Sequence, residues 1–249
     1  MMFLKLGRLF LIISVVVLIA FTGCETVQDV VIDSTQEESM MDAVPMKIVL
    51  LINYPEGGRD TYLGWVRTVA PTLQAFDEVR RIRSYENQDP TMKPNRLVEY
   101  EFDSFLEMAA YLNRPEIVAI MDDLPNHASD VHLYTFIQRS DYQVTEKGNY
   151  PVKSVYLVNY PLGGKATYLE WIASISDALI SPPEVKAITS YDNYYGETPH
   201  RFVEFEFASQ EDADTYIAEE LQAVNVELET RAHSWELLHF DQLSDFINE

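Results

Sequence analysis

The sequence predicts an α+β protein made of two tandem βαββαβ units. Three observations carry that reading. Residues 47–87 align with residues 153–193 without gaps at an offset of 106, with 19 identities in 41 positions. The heptapeptide Arg96-Leu97-Val98-Glu99-Tyr100-Glu101-Phe102 matches Arg201-Phe202-Val203-Glu204-Phe205-Glu206-Phe207 at an offset of 105. Within each half the apolar period switches between the alternation of a strand and the i, i+3, i+4 spacing of a helix. Self-similarity on this scale marks an internal repeat. It divides the folded part into a first unit, residues 47–142, a second unit, residues 153–249, and a linker, residues 143–152. The linker is polar and carries Gly148 and Pro151.

The elements follow in the same order in both units. KIVLLINY from Lys47 and KSVYLVNY from Lys153 are rich in aliphatic and β-branched residues and form the first strand. A PxGG turn follows each, and Thr61 or Thr167 stands where a helix N-cap belongs. Tyr62, Trp65, Val66 and Val69 recur at helical spacing, as do Tyr168, Trp171, Ile172 and Ile175. Strand two spans 79–85 or 185–191. A loop with Pro90 and Pro94, or Gly196 and Pro199, leads to the strictly alternating third strand. Ser104 starts a second helix with Glu107 three residues on, a capping-box spacing, and Ser209 with Asp212 is its counterpart. Strand four is expected over 131–137 and 235–240.

The region before the repeat reads as an address. Lys5 and Arg8 precede a run from Leu9 to Phe21 that is apolar apart from Ser14. That run suits a signal-peptide core and is short for a membrane span of about 20 residues. Phe21-Thr22-Gly23-Cys24 follows, and Cys24 is the only cysteine in the chain. The segment resembles the lipobox of bacterial lipoproteins, whose cysteine is acylated and becomes the new N-terminus. The resemblance implies a leader over residues 1–23, lipidation of Cys24 and attachment to the cell envelope. Glu25, rather than Asp, after the cysteine favours the periplasmic face of the outer membrane. Residues 24–46 are acidic and polar and read as a flexible tether.

Composition narrows the function classes. The 249 residues include 18 basic and 40 acidic side chains, for a net charge of -22. An acidic sheath repels phosphate backbones, so a nucleic-acid partner is not expected. One cysteine allows neither an internal disulfide nor a cysteine-based metal site.

The βαββαβ order is that of the ferredoxin-like split βαβ motif. Two such units, with a VEFEF-type third strand, resemble the dimeric α+β barrel superfamily. The resemblance implies an intramolecular pseudo-dimeric barrel with the helices outside. It spans activities from cofactor-free oxygenases to binding modules, so function has to be sought in side chains. The first helix lacks a His-x-Pro element, reading Trp65-Val66-Arg67-Thr68-Val69-Ala70-Pro71. The second helices carry no histidine in their apolar turns. His127, His132, His200, His233 and His239 share neither metal-ligand spacing nor repeat positions. No metal or cofactor is expected.

Three groups of residues remain as candidates. The glycine turns Gly57-Gly58-Arg59 and Gly163-Gly164-Lys165 could cradle an anion, or could be tight connections that need positive φ. The repeated Tyr-x-x-Trp could be core or the lining of a cavity. On the third strands Glu99 and Glu101, like Glu204 and Glu206, point to the face opposite the helices. Arg81, Arg83 and Tyr85 lie on the matching face of strand two in the first half, where the second half has Ala187, Thr189 and Tyr191. This predicts an ion-pair ladder in the first half and an acidic pocket bounded by Tyr191 in the second. Alternatively, Arg81 and Arg83 reach all four carboxylates, or the face is solvated. The leading functional expectation is a lipid-anchored envelope module that binds a small molecule or a protein. The alternative is a cofactor-independent oxygenase or isomerase acting on a small aromatic or lactone-like compound.

Overall fold

The computed structural model describes residues 44–142 and 148–248. The predicted leader, Cys24 and nearly all of the tether lie outside the described residues. Each half supplies four strands. The first half contains β1 (Met46–Asn53), β2 (Arg81–Asn87), β3 (Arg96–Phe102) and β4 (Asp130–Gln138). The second half contains β5 (Val152–Asn159), β6 (Val185–Asn193), β7 (Arg201–Phe207) and β8 (Ser234–Ile247). They close into one antiparallel barrel in the order β1-β3-β2-β8-β5-β7-β6-β4. The two halves join at β2–β8 and at β4–β6. At 14 residues, β8 is long enough to pair with β5 over its first part and with β2 over its second. Closure leaves no unpaired sheet edge.

Helices cover the outside. α1 (Gly58–Leu73) and α4 (Lys165–Ile180) follow the first strand of each half. In the first half α2 (Phe105–Leu112) and α3 (Pro115–Asp123) follow β3, and Pro115 opens the second of these. In the second half α5 (Gln210–Tyr216) passes through a π-helical stretch, Ile217–Leu221, into α6 (Gln222–Arg231). The single second helix expected in each half is two helices in the first half, and in the second half it is one unbroken helical run with a π-helical stretch inside it. Among the described residues no helix is long and apolar enough to cross a membrane.

Strand alternation produces two kinds of core. Ile48, Leu50 and Ile52 of β1 face outward and pack with Tyr62, Val98, Tyr100 and Phe102 beneath the helices. Tyr156, Val158, Val203, Phe205 and Phe207 do the same in the second half. The opposite strand faces point into the barrel. One end of the interior is apolar, with Val49, Leu51, Leu97, Val155, Leu157 and Phe202 in contact. The other end holds the charged residues described below.

Local signals were partly misread. Ser104 and Ser209 do cap their helices, accepting from the backbone N–H of Glu107 and Asp212. Glu107 reaches back to the N–H of Asp103 rather than to that of the cap residue. Thr61 and Thr167 are not caps. The helices begin earlier, with Gly57 and Gly164 in the cap positions, and the Thr61 hydroxyl donates to the carbonyl of Gly57. The turn needs glycine at position 57. Its φ is +96°, and a Cβ there would stand 2.7 Å from Thr61 Oγ1. Strand two of the first half starts at Arg81 rather than at Val79, which is instead a buried core residue.

Candidate functional site

The charged end of the barrel is a buried ion cluster. β3 points Glu99 and Glu101 inward, β7 points Glu204 and Glu206 inward, and β2 adds Arg83. The remaining cations are Lys47 and Lys153, at the starts of β1 and β5, and both are fully buried. Lys153 Nζ lies 2.7 Å from Glu99 Oε2, 2.6 Å from Glu204 Oε2 and 3.3 Å from Glu206 Oε1. Lys47 Nζ lies 2.7 Å from Glu204 Oε1 and 3.5 Å from Glu99 Oε1. Arg83 donates to Glu101 Oε1 at 2.6 Å and to Glu206. It also approaches Glu99 and Glu204, at 3.2 and 4.0 Å. The lysines occupy equivalent repeat positions and their settings match. Lys47 sits 4.4 Å over the ring of Tyr191, and Lys153 sits 4.5 Å over that of Tyr85.

This arrangement corrects the expected acidic pocket. Glu204 and Glu206 are not unpaired, because Lys47, Lys153 and Arg83 neutralise them. Tyr191 does border Glu204, to which its hydroxyl donates at 3.0 Å. Arg83 contacts all four carboxylates. Arg81, although opposite Glu101 in the β2–β3 ladder, turns away to a bidentate pair with Asp245 at 2.7 and 2.8 Å. The lysines were legible only as the first aligned residues of the repeat. In an otherwise apolar strand, their shared inward face with Val49 and Val155 was the signal.

Three buried cations face four carboxylates, and Arg80 adds a fourth cation at the rim, its Nη2 donating to Glu101 Oε2 at 2.9 Å. Burial, together with the charge of Glu204, holds the Glu99 carboxyl above its ordinary range. Burial also opposes ionisation of Glu204, but Lys153 and Lys47 outweigh it and hold Glu204 well below that range. Glu101 likewise resists burial through Arg83 and Lys47 and is lowered to about 2. With every carboxylate matched to a cation, the cluster is a structural core rather than an open binding site.

The glycine turns are also occupied by internal contacts. Arg59 Nε donates to Glu86 at 2.6 Å, and Lys165 Nζ donates to Asp192 at 2.8 Å. Glu86 and Asp192 are repeat equivalents, so each turn is pinned to its own strand two. Gly57, Gly58 and Gly163 have positive φ, and Gly164 does not. The tight-connection reading describes these turns, and their basic residues are already paired.

A cavity of about 70 Å³ lies elsewhere, between α1, α3 and the outer face of the first-half sheet. Its walls include Leu50, Tyr62, Trp65, Ser84, Arg96 and Tyr100. The two halves differ in sequence at this place. The position of Leu50 is taken in the second half by Tyr156, whose hydroxyl donates to Asn225 at 2.6 Å. Helix packing differs in step. Trp171, Ile172 and Leu179 of α4 are buried, whereas their equivalents Trp65, Val66 and Leu73 of α1 are only half-buried. Trp65 stacks on His127 at 4.7 Å, and both rings meet Asp123 Oδ2, at 3.2 and 2.9 Å. The repeated Tyr-x-x-Trp is therefore core in the second half and cavity wall in the first.

Arg96 was noted in the sequence only as the start of the third strand. It and Arg201 open β3 and β7 on the helix-facing side and lie over Tyr62 and Tyr168, at 5.5 and 5.8 Å. A buried arginine repeated at the same register was the available signal.

No protein-family model and no curated protein matches this sequence. Solved structures match it in fold. A candidate monooxygenase from Fusobacterium nucleatum superposes with a TM-score of 0.64 at 8% identity, covering 83% of this chain and 95% of that one. An anthrone oxidase-like protein gives 0.63 at 9% identity, covering 83% and 94%. A chlorite dismutase from Candidatus Nitrospira defluvii gives 0.55 at 11% identity, covering 85% and 95%. The chain thus has the fold of the dimeric α+β barrel proteins.

Two outcomes follow for the cluster. Lys153→Met removes the central cation and leaves buried carboxylates unpaired, which costs roughly 3–5 kcal/mol. Lys165→Met, at a half-exposed pair, costs less than about 1 kcal/mol. Urea unfolding of both variants checks the contrast, and equal losses would contradict it. Acid should also destabilise the fold. Glu101, and outside the cluster Asp141, which Arg139 at 2.7 Å and Arg201 at 2.8 Å hold down against burial, are both lowered to about 2, so they contribute stability above the unfolded carboxylate pKa and lose it as pH falls toward 2. Glu101 alone accounts for about 3 kcal/mol. The raised Glu99 acts in the opposite sense and offsets part of the loss. Calorimetric Tm between neutral pH and pH 2 should fall steeply below pH 5, and a flat profile would contradict the pairing.

Proposed function

We propose that this protein is a lipid-anchored component of the bacterial cell envelope whose first half binds a small molecule. The anchor rests on the Lys5/Arg8 n-region, the short apolar run and Cys24 next to Gly23. In this reading residues 24–46 tether the folded part at the periplasmic face of the outer membrane. The folded part is read as two tandem ferredoxin-like units joined in an internal pseudo-dimer.

The observation that carries the binding reading is the difference at one repeat position. Leu50 leaves a cavity where Tyr156 fills the equivalent space. The second half is then the closed, structural copy and the first half the working one. The barrel interior is an unsuitable site, because packed apolar side chains and paired charges fill it. A cavity of about 70 Å³ favours a small ligand.

The alternative, a cofactor-independent oxygenase or isomerase, is favoured by the names of two proteins of the same fold, the candidate monooxygenase and the anthrone oxidase-like protein. For an aromatic or lactone-like substrate the cavity has to widen, with α1 moving away from the sheet. Oxygen uptake or isomerisation of the bound compound would distinguish this reading from simple binding.

Native mass spectrometry of the intact chain, extracted gently from membranes, tests the proposal. The wild-type protein should carry an extra small mass that is lost on denaturation. Leu50→Tyr, which copies the second half, should carry none. The same adduct on both proteins, or none on either, would contradict a first-half site.

A further inference from the structure

The two halves differ in one more respect at the same place, and the difference is in charge. In the second half Arg201 is fully buried and has a carboxylate partner, with Nη2 standing 2.8 Å from Asp141 Oδ2. The same Asp141 oxygen accepts from the hydroxyl of Ser190 at 2.9 Å. In the first half the corresponding arginine, Arg96, is 4% exposed. Its Nη2 donates to Ser84 Oγ, the equivalent of Ser190, at 2.9 Å. Ser84 Oγ is met by Ser244 Oγ, at 2.6 Å, in place of a carboxylate. The second-half triad is arginine, serine and aspartate, and the first-half triad is arginine, serine and serine.

This exchange leaves a buried cation short of an anion. Among the described residues no carboxylate oxygen lies within 4 Å of the Arg96 guanidinium. Glu86 is opposite Arg96 in the β2–β3 ladder, but it is engaged by the Tyr54 hydroxyl at 2.9 Å and by Arg59 at 2.6 Å. Arg96 Nε and Nη1 are buried without a hydrogen-bond partner, as Nε and Nη1 of Arg201 are, so what Arg96 lacks is the neighbouring carboxylate that Arg201 has. Leaving such donors unmet costs free energy that an incoming acceptor recovers, and more so when the acceptor is charged. Arg96, Ser84 and Ser244 all line the cavity left by Leu50. The missing carboxylate and the missing side-chain volume therefore coincide.

We infer that the first-half cavity is a site for a small monocarboxylate with an apolar body, its carboxylate taking at Arg96 the place that Asp141 takes at Arg201. The inference rests on the first-half binding site proposed above and specifies its ligand class. Arg96 supplies the counter-charge, and the Ser84–Ser244 pair, which spends one hydroxyl proton on its own bond, offers one hydroxyl donor. Leu50, Tyr62 and Val66 receive the apolar part. The guanidinium lies 5.5 Å from the Tyr62 ring centre, a contact that does not neutralise its charge.

Propionate and its neutral isostere propionamide are suitable probes, titrated calorimetrically into the intact chain in detergent. The wild-type protein should bind propionate at least tenfold more tightly than propionamide. Arg96→Gln should lower propionate to the level of propionamide. Ser244→Asp provides a test that does not remove the buried arginine. It recreates the second-half carboxylate beside Arg96, so it should abolish the preference for propionate and raise the melting temperature. Equal binding of both probes to the wild type, with loss of both in Leu50→Tyr, would overturn the anion site while leaving the cavity site standing. If neither probe binds at the highest concentration reached, the cavity reading falls and the anion site falls with it.

Discussion

Two lysines that begin equivalent strands hold the barrel closed from within. Lys47, from the first half, reaches Glu204 of the second. Lys153, from the second half, reaches Glu99 of the first as well as Glu204. Taking these charges out of water is expensive, and only close pairing on all sides makes it tolerable. The pairing exists only when β1, β3, β5 and β7 are all in register and the two halves face each other. The cluster therefore acts as a registry device. A one-residue slip of any of these strands would turn a buried charge toward the apolar cores beneath the helices.

With the interior committed to that role, the cavity lined by Leu50, Tyr62 and Arg96 lies on the outer face of the sheet, under the helices. There the two halves have diverged. The second half is filled by Tyr156, extended by the π-helical stretch into α6, and neutralised at Arg201 by Asp141. The first half has Leu50, a looser α1 and an arginine without a carboxylate. Halves of similar sequence can differ in this way, because one fills its space and pairs its arginine where the other does not.

Much of the architecture could be read from the chain. The offset of 106 located the strands, the alternation of the third strand assigned Glu99, Glu101, Glu204 and Glu206 to the interior, and Ser104 and Ser209 marked helix starts. What failed was pairing across the barrel. Periodicity tells which face a side chain occupies and not which distant strand faces it. Arg81 was therefore assigned to glutamates that it ignores in favour of Asp245, a residue from the far end of the chain. Lys47 and Lys153 were read as strand starts rather than as partners of the glutamates. The cavity was less legible still. It depends on the difference between Leu50 and Tyr156 and between Ser244 and Asp141, and those differences acquire meaning only when the repeats are superposed in space.

Within the cluster the surroundings push two neighbouring carboxyls in opposite directions, Glu99 up through burial and the charge of Glu204, and Glu204 down through Lys153 and Lys47. Carbon-13 NMR of the glutamate side-chain carboxyls, followed through a pH titration of the folded protein, measures this directly. Glu99 should titrate above the ordinary glutamate value of about 4.3 and Glu204 below it, with the two curves coupled. If both carboxyls titrated independently near that ordinary value, they would be solvated and unpaired. The barrel would then not be closed by its charged core.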